Sequence, residues 1–592
     1  MPIYQPPLRD MRFVLHDLLA VEACLRRMPA HAQTTRDLID PILEAGSDFC
    51  ARVLAPLNAV GDTEGCSLQA DGSVRTPTGF KAAWDDFRAG GWNGLACSPE
   101  HGGQGLPSLL RYVLLEPLNA ANLAWTMYPG LALGVYDCLE AHGTADQKAI
   151  YCPRLAQGDW AGTMCLTEPQ SGTDLGLIRT RAVPAADGSY RISGTKVFIS
   201  SGEHDLAENI VHLVLARLPD APAGTRGISL FVVPKFLPEA SGAAGERNGV
   251  RCNRVENKMG LHGNATCELR FEAAQGWLVG TVHQGLRAMF VMMNGARIAV
   301  ALMTLGLMDA ASQNALAYAR ERLQGRALTG AAQPGAAADP ILVHADVRRM
   351  LLTQRAYTEG SRAFVYWLAL NADIARHHES EFERHRATQL LALLTPVAKA
   401  FVSDAGVLVT HLAMQVWGGH GYIEENGLSQ GVRDARINPI YEGTNGVQAL
   451  DLLGRKLLLD GGEKFGVFVE MVGTEVDMHS AVAAMGEFTR PLATLLDEVQ
   501  AVTGEIAERA SEGPDEVGAA ASDYLRLIGH LTLAYFWTRM AAIALAHPDE
   551  LFHQQKLATA RFYFAKLLPE TQSLAAALRA GAGVIMQAPL AA

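Results

Sequence analysis

The chain has 592 residues, a formal net charge of −12 and a composition that is 49% apolar. Such a length exceeds what a single core serves, so three or four packed units are expected. The acidic balance argues against a nucleic-acid backbone as partner, which needs a basic face. The nine cysteines form no Cys-x-x-Cys pair and no zinc-like spacing with histidine. They read as small buried side chains in a reducing compartment, with neither disulfides nor a metal expected.

The start, "MPIYQPPLRDMRFVL", lacks a basic segment followed by an apolar one, so no secretory signal is read and a cytoplasmic location is expected. Residues 1 to about 160 carry helical apolar spacing, as around Met11 to Leu25 and Leu38 to Leu57, with a hairpin turn at Asp71-Gly72. From Trp160 the pattern changes to short β-branched runs, "YRISGTKVFIS", "IVHLVLARL", "GISLFVVP" and "CELRFE", which predict a β domain, barrel or sandwich, over 161–282. Helical spacing returns after Gly276 and continues through Ile341–Asp373 and Arg384–Val416, a helix bundle over 283–458, with an Ala/Gly-rich surface loop, "ALTGAAQPGAAADP", between the first two helices. Pro396 should kink the last of these helices. The tail, 459–592, is again helical. Its apolar stretch Leu525 to Ala546 is interrupted by Arg526, His530 and Arg539, which predicts a buried amphipathic helix and no stable membrane insertion. The fold class expected is therefore α+β and multidomain: a helical domain over 1–160 with an extension over 1–40, a β domain, a four-helix bundle and an added helical domain.

Five segments carry candidate chemistry. "RDARINPIYEGTNGVQ", Arg433 to Gln448, offers one carboxylate, Glu442, beside an aromatic residue and the pair Gly443-Thr444, where backbone can pass close to a ligand. "QVWGGHG", Gln415 to Gly421, has three glycines that let a cofactor approach the chain. "CLTEPQSGTDLG" (165–176) and "GTKVFISSG" (194–202) bracket the start of the β domain, and "YARERLQGR" (318–326) follows the first bundle helix. A further glycine-rich connection, "GWNGLACSPEHGGQGLP", lies at 91–107. Read singly, these are a surface turn, a core strand or a solvated helix face. Together, in this order, they resemble the flavin-dependent acyl-CoA dehydrogenases, over about residues 85 to 455.

The resemblance implies FAD as cofactor and an acyl-CoA thioester as substrate. Glu442 would remove the α-proton while FAD takes the β-hydride, giving the trans-2-enoyl-CoA. The residue before Arg297, where some branches place the base, is Ala296, so Glu442 is the only matching carboxylate. Leu166 and Thr167 would face the isoalloxazine edge, Phe198 would stand where a stacking tryptophan is common, and Ser200 would serve the pyrophosphate region. Thr173 would lie near both flavin and the coenzyme A chain. Arg322 would grip the flavin pyrophosphate across a subunit boundary. Gln415, Gly418 and Gly419 would hold the adenine half, with Thr444 close by. Asn294, Arg297 and Gly443 would contact substrate. Two departures stand out: the phenylalanine expected between Gln324 and Gly325 is missing, and Gly446 replaces a common glutamine.

The tail and the "YQPPLRDMRFVL" start resemble a large bacterial branch that includes long-chain enzymes and those oxidising 3-methylmercaptopropionyl-CoA. That branch implies a homodimer, fatty-acid β-oxidation chemistry and electron-transfer flavoprotein as acceptor. Medium- or long-chain acyl-CoA and 3-methylmercaptopropionyl-CoA both stay open as substrate. The alternatives to a dehydrogenase are an acyl-CoA oxidase using O2 and a non-catalytic relative that binds acyl-CoA or nucleic acid.

Overall fold

A computed structural model describes residues 4–239 and 242–590. The backbone divides into two units, Asp48–Ala299, and Met1–Ser47 together with Val300–Ala592.

The unit Asp48–Ala299 begins with helices and a small hairpin, β1 (Ser67–Leu68) and β2 (Val74–Arg75). Its turn is the predicted one, with the Asp71 carboxylate accepting the Ser73 N–H at 2.9 Å. The long helix Ser108–His142 leaves helical geometry at Asn122 (φ −162°, ψ 90°). The helix Ala145–Gln157 opens with a reciprocal cap between Thr144 and Gln147. The sheet that follows contains β3 (Trp160–Cys165), β4 (Arg181–Pro184), β5 (Tyr190–Ile199), β6 (Asn209–Arg217), β7 (Ile228–Pro234), β10 (Val250–Val255) and β11 (Cys267–Val279). A separate pair is made by β8 (Phe236–Pro238) and β9 (Ala244–Arg247). Because β7 pairs with both β11 and β6, the ring β5-β4-β6-β7-β11 closes on itself. Closure leaves fewer open strand edges, the barrel solution to the edge problem.

Strand β6 shows why the run "NIVHLVLAR" is almost uniformly apolar: it is buried along nearly its whole length. Val211, Leu213 and Leu215 join a core with Leu139, Leu155 and Trp160, whereas Val214 and Ala216 join one with Ile192, Phe231 and Phe271. Alternation across the pleat thus feeds two cores from one strand. His212 in that strand meets Thr163 Oγ1 at 2.7 Å, and burial pushes its imidazole down to about 3, so it is a neutral core residue.

In the other unit, Ala345–His377 and Glu381–Trp417 are adjacent long helices joined by a short turn, where the Ser380 hydroxyl accepts the Glu383 N–H. The second runs through the buried Pro396 as one element. The loop over 327–340 is gathered by buried Asp339, which accepts the N–H groups of Ala327, Ala332 and Gln333 at 2.8–3.0 Å. The tail contributes Glu463–His479, Gly486–Glu512, Asp515–Ala546, Leu551–Phe562 and Glu570–Arg579. Its central helix is core: Trp537 donates to the Ala356 carbonyl at 3.2 Å, and a Cβ at Gly529 would meet the Phe401 ring at 2.2 Å. By length and composition alone, Gly285–Glu321 and Glu381–Tyr422 could cross a membrane, but 56% and 78% of their apolar windows are buried within the fold. All nine cysteines are free thiols. Burial pushes Cys97 up to about 12, as expected of inert core thiols.

Candidate active site

Within Val300–Ala592, Glu442 sits in a non-helical loop ahead of the short helix Asn445–Leu450. Its backbone is left-handed, φ 56°, and Gly443 follows at φ 81°. Two successive left-handed residues turn the chain sharply. Glycine suits the second, whose φ lies in a region that residues with a Cβ rarely adopt, and a Cβ there would displace the Gln448 amide, 2.5 Å away. The loop is held from both sides. Gln448 donates to the carbonyls of Glu442 and Gly443, both at 3.3 Å, and the Thr444 hydroxyl caps the helix by accepting the Val447 N–H. Asn445 donates to the Ala400 carbonyl, Ser403 and Asp404 at 3.1, 3.0 and 2.7 Å, while buried Lys399 donates to Asn445 Oδ1 at 2.9 Å. On the other side Asn438 donates to Thr304, and the Tyr441 hydroxyl reaches Asn438 and the Met303 sulfur, each at 3.0 Å. Burial, with the Glu442 and Asp434 carboxylates nearby, raises the Tyr441 phenol far above its ordinary value, so it remains a neutral donor.

Further along the same bundle, Gln415, Gly418 and Gly419 lie exposed at the end of the Glu381–Trp417 helix, with Gly418 at φ 57°. Side chains would find nothing within 4 Å at either glycine, so the strip is open for a ligand to approach. Beside it Trp417 stacks on Tyr318 with centroids 4.2 Å apart, and His420 meets the Tyr318 hydroxyl at 3.1 Å. Arg322 follows the Gly285–Glu321 helix and is exposed.

Within Asp48–Ala299 a second set gathers around the loop 165–176. No helix starts at Thr167-Glu168-Pro169; Glu168 and Ser171 instead form an isolated bridge. Glu168 is buried and accepts the N–H groups of Arg179 and Thr180 at 2.6 and 3.1 Å and the Lys196 ammonium at 2.9 Å. Burial alone would raise its carboxyl, but Lys196 and these donors hold it down at about 2. Lys196 also donates to the Leu166 carbonyl, and the Thr167 carbonyl accepts the Val197 N–H, both at 2.9 Å. The next residue, Phe198, is left-handed at φ 59° with its side chain 64% exposed. A bulky residue in that region is a genuine outlier, and such strain clusters at ligand sites. Ser200 is half-buried in the turn after β5, Ser201 is again left-handed at φ 55°, and Thr173 is exposed. On the Gly285–Glu321 helix Asn294 is exposed and Arg297, one turn later, is buried.

The predicted residues therefore fall into two groups, one in each unit. Lys399, Asn445 and Gln448 were not singled out from the sequence, although Lys399 lies in the "TPVAK" segment and the other two follow the Gly-Thr pair. The Glu168–Lys196 pair was missed because one partner lies in the loop after β3 and the other on β5, 28 residues away.

Family comparisons agree with this architecture. Residues 40–159 match "Acyl-CoA dehydrogenase, N-terminal domain", 163–274 its middle domain and 283–458 its C-terminal domain. Residues 468–589 match "Acetyl-CoA dehydrogenase C-terminal like". The chain belongs to the acyl-CoA dehydrogenase family, a family of oxidoreductases. It is 42% identical to the 3-methylmercaptopropionyl-CoA dehydrogenase of Ruegeria pomeroyi, over 96% of each chain. It is 35% identical to the broad-specificity linear acyl-CoA dehydrogenase FadE5 of Mycobacterium tuberculosis, again over 96% of each. Among solved structures, Caenorhabditis elegans ACDH-11 in complex with C11-CoA shares the fold at a TM-score of 0.74 and 20% identity, covering 95% of this chain and 91% of that one.

Proposed function

We propose that this protein is an FAD-dependent acyl-CoA dehydrogenase in which Glu442 is the catalytic base. The observation that carries the reading is the Glu442 backbone, held left-handed at φ 56° by a loop anchored to two bundle helices. The chain's donor chemistry fits the cofactor. Phe198 offers an exposed ring face, Arg322 a guanidinium for phosphate, and Gly418 and Gly419 a backbone strip with room beside it. Leu166, Thr167, Thr173, Ser200, Gln415 and Thr444 complete the set proposed to hold it.

When bound, FAD supplies a hydride acceptor that no side chain provides. Glu442 takes the proton from Cα of the thioester, and its own N–H stabilises the thioester oxygen as negative charge develops there. Exclusion of water by the acyl chain raises the basicity of the carboxylate. Asn294, Arg297 and Gly443 orient the substrate.

The substrate class we favour is 3-methylmercaptopropionyl-CoA or a linear acyl-CoA, supported by the activities of the two full-length relatives. Electrons leave to an electron-transfer flavoprotein, and the protein works as a cytoplasmic homodimer. The test is an anaerobic titration of the purified flavoprotein with linear acyl-CoAs of increasing length and with 3-methylmercaptopropionyl-CoA. The visible flavin band bleaches in the wild type and not in Glu442→Gln, and the ligand that bleaches it fastest names the substrate. Bleaching that survives in the variant removes Glu442 as base; a flavin that no thioester bleaches removes the activity.

A further inference from the structure

Within the unit formed by Met1–Ser47 and Val300–Ala592, three metal-ligating side chains converge well away in sequence from Glu442. His31 ends the single-turn helix Pro29–His31, and Asp373 and His377 lie one turn apart on the helix Ala345–His377. One ligand atom from each lies within 4.8 Å of the other two. Asp373 is fully buried, His31 is 8% exposed, and the two imidazoles meet edge to face with centroids 4.8 Å apart.

The two elements are already docked. The Glu379 N–H donates to the Arg27 carbonyl at 2.9 Å just beyond the helix, and the Arg27 side chain pairs with Glu379. Residue 31 is in turn fixed by its own N–H to the Met28 carbonyl at 2.8 Å, while its carbonyl accepts the Thr34 N–H at 2.9 Å. Backbone contacts therefore bring the third ligand to the i, i+4 pair before any ion is considered.

We propose that His31, Asp373 and His377 form a binding site for a divalent zinc ion. Two imidazole nitrogens and one carboxylate oxygen suit zinc and exclude calcium and magnesium, which take oxygen ligands. Zinc–ligand bonds of about 2.0–2.2 Å place tetrahedral ligand atoms roughly 3.4 Å apart, so side-chain rotation of about an ångström closes the triangle. Three protein ligands leave one position for water. The ion would pin the amino-terminal segment to the end of the Ala345–His377 helix, adding a metal cross-link to the Arg27–Glu379 contacts there. Cysteine and histidine spacing did not reveal the site because one ligand comes from a distant part of the chain. The site does not rest on the proposed catalytic role of Glu442.

The test uses full-length protein without a histidine tag, dialysed against chelator and titrated with ZnCl2 by calorimetry. The expected result is one equivalent bound, a rise in thermal midpoint with zinc, and at least about tenfold weaker binding in His31→Ala, Asp373→Asn and His377→Gln. His411→Ala, at an exposed histidine elsewhere on the bundle, should bind as the wild type does. His377 is only partly buried, so its variant keeps the test valid if the buried changes misfold. Cobalt substitution should give the visible bands of a tetrahedral nitrogen–oxygen site, lost in His377→Gln. Absence of stoichiometric zinc binding, or affinity unmoved by His377→Gln, overturns the site.

Discussion

At Glu442 the backbone adopts the left-handed region, which costs a non-glycine residue about 1–2 kcal/mol. The strain persists because the flanking residues over-determine it: Gln448 fixes the carbonyls of Glu442 and Gly443, and Asn445 ties the next turn to the Glu381–Trp417 helix. Asn445→Ala removes three donated hydrogen bonds and the acceptor of Lys399. It should lower stability by about 1–3 kcal/mol. If the loop also positions the base, kcat falls at least about tenfold while the KM for acyl-CoA changes little, because a misplaced base weakens the transition state and leaves binding intact. Urea unfolding and steady-state kinetics on one preparation separate the two effects. A variant that loses stability but keeps full kcat shows that Asn445 is structural only.

At the scale of elements, the loop between β3 and β4 has its shape from a buried ion pair. Glu168 collects two backbone N–H groups and the Lys196 ammonium, and its carboxyl is held at about 2 against a usual 4.5. A lowered folded-state value means that the stabilisation is complete above pH 4.5 and drains away as pH falls toward 2. Lys196, whose own value burial lowers, offsets part of this gain at neutral pH. Glu168→Gln should therefore be less stable at pH 7, and the gap from wild type should narrow between pH 4.5 and 2. Denaturant midpoints along a pH series would show this, and a gap that stays constant with pH would rule out the ion pair as the source. The loop carries Leu166, Thr167 and Thr173, proposed above to hold the flavin, and on that proposal a change in flavin retention should accompany the loss.

On the scale of the whole molecule, the amino-terminal segment, the bundle and the tail share one buried charge network. Arg362 pairs with Asp10 and Asp309, and fully buried Lys556 pairs with Asp10 and with Glu359 at 2.7 Å while lying over the rings of Phe13, Trp537 and Phe552. The charged residues come from the helices Leu8–Arg12, Gly285–Glu321, Ala345–His377 and Leu551–Phe562. Breaking a buried pair from one side strands charge in the interior, so Lys556→Ala should destabilise by about 3–5 kcal/mol. The same logic predicts that a chain ending at residue 459 does not fold as a stable enzyme, since Asp10 and Glu359 lose this partner and Gly529 no longer covers Phe401. Thermal unfolding of Lys556→Ala and the solubility of the truncated chain check this. A truncated chain that binds FAD with an unchanged melting midpoint would show the tail to be a separate domain.

What the sequence determined by itself was whatever depends on near neighbours. The β-branched runs set the strands, the helical spacing set the long helices, Asp71-Gly72 set a turn, and the Tyr-Glu-Gly-Thr segment singled out Glu442. Local periodicity and turn chemistry are written in consecutive residues and survive reading without a structure. The tertiary structure alone decided which distant residues meet. It closed β7 onto both β6 and β11, brought Lys399 to Asn445, drew the tail's Lys556 to Asp10, and set His31 against Asp373 and His377. Pairings of that kind come from register and packing between elements, where many partners of equal chemistry compete and one sequence does not say which wins. The left-handed backbones at Phe198 and Glu442 belong to the same class. Neither residue type prefers that region, so only the surrounding hydrogen bonds and packing could place them there.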